Sequence, residues 1–150
     1  MKTKYRSKRN DIAANIRSAM FAAFGEERLE RVDNTTSLGK LAKWKDSEKT
    51  KKAYEELFSN HNLLSKIGHN VFKSHKEKEL PTMHCAYILS ICDIVLNPRS
   101  SGIKCSDRSV VRRVNAFLVN IRNMLNIIII YYKMLVKFIN YHYLTEGIRK

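Results

Sequence analysis

Residues 109–143 read SVVRRVNAFLVNIRNMLNIIIIYYKMLVKFINYHY, a stretch with no Gly and no Pro. Placed at about 100° per residue, its polar side chains come into line. Arg112, Asn115, Arg122, Asn123, Asn126, Lys133, Lys137 and Asn140 fall within an arc of roughly 100°. Only Arg113 and Asn120 lie well outside it. The rest of the wheel is Val, Ile, Leu, Met, Phe and Tyr. A stripe that keeps its phase this long predicts one continuous helix, about 107–143, capped by Ser106 or Asp107. Taken alone, Ile127–Tyr132 is a strong β-former. The polar stripe running through both flanks decides for helix.

At 1.5 Å per residue such a helix is roughly 50 Å long. A compact chain of 150 residues is only about 38 Å across. The helix must therefore bend, most plausibly near Asn120–Asn126, or its apolar end must pack on another molecule. The second alternative makes Ile128, Tyr131, Tyr132, Leu135, Phe138 and Ile139 candidate interface residues. It implies a homo-oligomer or another protein partner.

Working outward, the remainder predicts an all-α chain. The expected fold is a compact bundle of about five helices around a buried helix, about 82–97, and the long C-terminal one. Residues 1–9 carry Lys2, Lys4, Arg6, Lys8 and Arg9 and read as a basic flexible arm; residues 10–150 read as a single helical domain. Helix one should start at an Asn10 or Asp11 cap, with Ile12, Ile16, Met20 and Phe24 repeating every four residues and Gly25 closing it. A second helix is expected over Ser47–Phe58 and a third over Leu63–Phe72, followed by a charged linker, Lys73–Glu79. The fourth begins at Pro81 and stops before Pro98. It is apolar nearly all round, so it should be buried. Asp93, its one charge, should sit at an exposed edge or pair with an Arg.

Lys and Arg number 28 against 14 Asp and Glu, a net charge of +14. Residues 101–150 hold nine basic and two acidic side chains, so the charge is densest in the most apolar part. Such an excess suits a polyanionic partner, DNA or RNA among them. The candidate contacts are Lys4, Arg6, Lys8 and Arg9 in the arm, Lys40, Lys43 and Lys45 around Trp44, and Arg108, Arg112 and Arg113 at the start of the long helix. The arm serves equally as a solvated tail. Around Trp44 the favoured reading is an indole capping the core edge beneath solvated lysines. No helix-turn-helix, zinc-finger or RNA-binding signature supports reading of base sequence.

Three cysteines, Cys85, Cys92 and Cys105, and no secretory signal suggest a reducing cytoplasmic or nuclear compartment. No membrane span is expected: the longest charge-free run in the last helix, Asn123–Tyr132, contains two Asn, and a span needs roughly 20 apolar residues. Cys85 and Cys92 lie too far apart for a zinc pair. His61, His69 and His75 lack ligand spacing and read as surface residues. His84 beside Cys85 would point in another direction on a helix. Gly39-Lys40 lacks the upstream Gly of a phosphate loop. No catalytic group, metal or cofactor is expected. The second half is rich in Ile, Asn, Lys and Tyr, whose AT-rich codons suit an AT-rich genome such as a viral one. The sequence thus favours a non-enzymatic, self-associating interaction module, with a phosphate-contacting nucleic-acid binder as the alternative.

Overall fold

The computed structural model describes residues 2–72 and 81–148; side chains are described for residue 8 and for 10–60, 62–72 and 81–142. The expected 73–79 linker lies outside the described residues. Six helices account for the described fold: α1 (Lys2–Phe24), α2 (Leu38–Asp46), α3 (Glu48–Ser59), α4 (His61–Val71), α5 (Thr82–Leu96) and α6 (Asp107–Ile148). The described residues contain no strand. The chain divides into two compact units, Met1–Asn115 and Ala116–Lys150.

In the first unit α5 is the hub. Its Ile88, Ile91, Val95 and Leu96 are completely buried, as its all-round apolar sequence predicts. Helices α1, α3 and α4 pack against it, α1 also packs on α4, and α2 packs on α3. From α1 come Ile16, Met20, Phe21 and Phe24; from α3 and α4 come Leu57 and Ile67. Each such side chain contributes roughly 1.5–3 kcal/mol by leaving water. Asn60 alone separates α3 from α4, accepting from the backbone N–H groups of Asn62 and Leu63 at 3.0 and 3.3 Å. Gly25 ends α1 with φ +77°, a conformation that costs glycine nothing.

Four expectations are corrected. Helix α1 starts at Lys2, not at Asn10 or Asp11. The basic residues before Asn10 are good helix formers, and both cap candidates are absorbed into the helical run. Helix α2 was absent from the expected set of five. Gly39 argues against it, but Ser37 caps it and burial of Leu41 and Trp44 outweighs the weak propensity. Pro81 stands at the N-cap of α5, one place before the first helical residue. His69, expected at the surface, is half-buried with its Nδ1 enclosed.

The second unit is the continuation of α6, helical without interruption through Asn120–Asn126. The bend foreseen there as one alternative does not break the helix. Ser106 caps its start, its Oγ accepting from Ser109 N–H at 3.3 Å.

Candidate interaction surfaces

A buried polar cluster fixes the start of α6 within the first unit. Asp93, the lone charge of α5, accepts from three donors. Arg113 Nε lies 2.7 Å from its Oδ2, while Tyr54 Oη and Asn97 Nδ2 lie 2.7 and 3.1 Å from its Oδ1. The expected pairing of Asp93 with an Arg is therefore present. It removes Arg113 from the set of solvent-facing cations. Burial and the bond to Asp93 both push the Tyr54 phenol above its ordinary pKa, so it stays protonated and donates. One sequence signal did mark Arg113: it lies off the polar stripe of α6.

Lys45 is corrected as well. It was expected to face solvent, yet it is 2% exposed. Leu41, Trp44 and Lys45 share one face of α2 at helical spacing, and that face is buried. The ammonium lies 2.9 Å from Ile94 O, 2.8 Å from Ser100 O, 2.9 Å from Ser100 Oγ and 2.6 Å from Gly102 O. These oxygens cluster at the carboxyl end of α5, where unpaired carbonyls and the helix dipole favour a cation. Lys45 therefore staples α2 to the end of α5 and cannot meet a polyanion. Burial pulls its pKa down to about 8, opposed by the nearby Asp93 carboxylate and reinforced by Arg113.

Substituting Lys45→Met should cost about 2 kcal/mol at pH 7, because the carbonyls of Ser100 and Gly102 lose their donor. The folded ammonium releases its proton near pH 8, whereas the unfolded chain holds it to about 10.5. Between those values the unfolded chain binds more protons, so this group adds stability as pH rises. Urea titrations at pH 7.5 and 9.5 should show the gap between wild type and Lys45→Met widening. A gap that narrows would contradict the buried-ammonium assignment.

Lys40 and Lys43 remain exposed on α2, and among the described residues neither has an ion-pair partner. They border a surface depression of about 860 Å³ that also takes in Arg31, Lys49, Thr36 and Trp44. Arg31 is the contributor that sequence reading missed, because folding of the loop before α2 rather than spacing brings it there, whereas Lys49 belongs to the run of lysines around Trp44. Two carboxylates, Glu30 and Glu48, line the same depression and reduce its positive charge. Trp44 is buried as expected, its Nε1 donating to Glu30 O at 3.0 Å. Arg108 and Arg112 stand exposed on the first turns of α6, and Lys8 is exposed on α1. The side chains of Lys4, Arg6 and Arg9 lie outside the described residues.

No activated nucleophile is built from the thiols. Burial raises the pKa of Cys85, Cys92 and Cys105 alike, the opposite of what a reactive thiolate needs. His84 stacks on Phe72, ring centroids 4.1 Å apart. Among the described residues no group of three or more His, Cys, Asp or Glu side chains could hold a metal ion.

The largest exposed apolar surface belongs to the second unit. Every described residue from Arg122 to His142 is exposed. Ile128, Tyr131, Tyr132, Leu135, Phe138 and Ile139 are 59%, 71%, 67%, 55%, 65% and 42% exposed. The candidate interface residues therefore all lie open on one helix. By length and composition α6 is also long and apolar enough to cross a membrane. Compared with protein-family models, curated proteins and solved structures, the chain matches none of them.

Proposed function

We propose that this chain is a non-enzymatic, self-associating helical interaction module, with the second unit of α6 as its assembling element. One observation carries the reading: from Val119 to Tyr141, fifteen large apolar side chains stand between 38% and 71% exposed. A single helix cannot cover its own surface, and monomeric soluble proteins rarely expose more than a few hundred Å² of contiguous apolar area. The first turns of α6 belong to the first unit, where Asp93–Arg113 and the buried Val110 and Val114 hold them. The test is the mass of the full chain in solution. More than one chain per particle at micromolar concentration is expected, and a clean monomer would refute it.

A second reading rests on Lys40 and Lys43. Two exposed cations without an ion-pair partner among the described residues, beside Arg31 and Lys49, can hold phosphates of DNA or RNA, through charge and without base recognition. Binding of a generic oligonucleotide should then weaken steeply between 50 and 200 mM salt. Lys40→Glu with Lys43→Glu should lower affinity at 50 mM salt by about tenfold or more. Undetectable binding by wild type at 50 mM salt would dispose of this reading.

A further inference from the structure

The distribution of apolar residues around α6 specifies how many neighbours the helix needs, an inference that rests on the self-association proposed above. From Asn123 to Tyr141 the side chains of the second unit follow a seven-residue repeat. Two adjacent positions of the repeat carry most of the polar residues: one holds Asn126, Lys133 and Asn140, the other Asn123 and Lys137. The other five positions are apolar from Met124 to Tyr141. Their centre is Ile128 and Leu135. One flank is Ile127 and Met134; the opposite flank is Ile129 and Val136.

These flanks matter because Ile127 and Ile129, like Met134 and Val136, are two residues apart. That separation is roughly 200° on a helix of 3.6 residues per turn. A two-stranded coil buries one seam of two adjacent positions and shades those beside it. No single helix can reach both flanks. All four flanking residues are exposed, Ile127 at 53%, Met134 at 63%, Ile129 at 50% and Val136 at 38%. Fifteen large side chains about half exposed present on the order of 1,500 Å², enough for a stable interface between copies of this chain, and the separation of the flanks divides it between neighbours. Asn123, Asn126, Lys133, Lys137 and Asn140 leave a narrow stripe for water, as an outward-facing edge in a ring of helices requires.

We infer that the occupant of this surface is further copies of α6, at least two per helix, so that the assembly contains more than two chains. A bilayer is the less suitable occupant, because Lys133 and Lys137 recur within the apolar stretch and each charge at membrane depth is costly.

The test is sedimentation equilibrium of the full chain in detergent-free buffer, with two double variants. Wild type should give a particle of three or more chains. Ile127→Glu with Met134→Glu, and separately Ile129→Glu with Val136→Glu, should each give a smaller particle. That particle is a dimer if each flank meets its own kind, and a monomer if one flank meets the other. A wild-type dimer would overturn this inference while leaving self-association standing. A wild-type monomer would overturn both, including one that sediments with anionic phospholipid vesicles. A flank pair that leaves the mass unchanged would also overturn the inference. Each substitution lies beyond Asn115, so circular dichroism and the unfolding midpoint of the first unit report separately that it still folds.

Discussion

Ile128→Glu together with Leu135→Glu should convert the assembly to a monomer and weaken association by at least a hundredfold. Both residues lie at the centre of the apolar arc, where every neighbouring helix must contact them. Two buried carboxylates without partners cost far more than the contacts they replace. A second consequence follows for the helix itself. Isolated helices are marginal in water, and most helical stability comes from covering an apolar face. Freed of neighbours, α6 beyond Asn115 should fray, so helical ellipticity should fall while the first unit keeps its cooperative transition. The control is Lys133→Gln with Lys137→Gln. Those positions lie on the polar stripe, and the substitution should leave the particle mass unchanged. If the Ile128/Leu135 variant kept its mass and ellipticity, the apolar arc would not be the assembling surface.

Asp93→Ala should destabilise the first unit by about 3 kcal/mol. Its carboxylate is 13% exposed and accepts from Arg113, Tyr54 and Asn97. Removing it leaves the half-buried Arg113 guanidinium uncompensated, the situation in which breaking one side of a buried pair costs most. Partial exposure of Arg113, at 26%, keeps the cost toward the lower end. In a unit of this size a loss of that order lowers Tm by roughly 10 °C. Asp93→Asn retains the shape and can still accept from Tyr54, so it should cost about half as much. Association would confound the comparison by making Tm depend on concentration. The measurement therefore belongs in the Ile128→Glu, Leu135→Glu background. A loss under 1 kcal/mol for Asp93→Ala would mean the cluster does not hold the first turns of α6, up to Asn115, against α5.

Much of the fold was legible in the chain. The phase of Arg112 through Asn140 specified the long helix despite its run of β-formers, and the apolar sequence of α5 specified a buried hub. The solitary Asp93 called for a basic partner. These features are local: periodicity and isolation of a charge can be counted along one segment. Helix α2 was not legible because a nine-residue segment containing Gly39 has little helical preference of its own. It exists because Leu41 and Trp44 find cover.

The candidate sites divide in the same way. That Ile128, Tyr131, Tyr132, Leu135, Phe138 and Ile139 lie on an apolar arc followed from sequence alone, since helical geometry sets the angle between residues. Which cations remain available was decided by tertiary structure. Lys40, Lys43 and Lys45 are alike in sequence, but the end of α5 brings its carbonyls to Lys45 alone. Arg112 and Arg113 are neighbours, and only Arg113 points at Asp93. Sequence determined the charge and the period; packing determined which charges were spent inside, because a buried carbonyl or carboxylate takes the nearest donor that chain folding delivers.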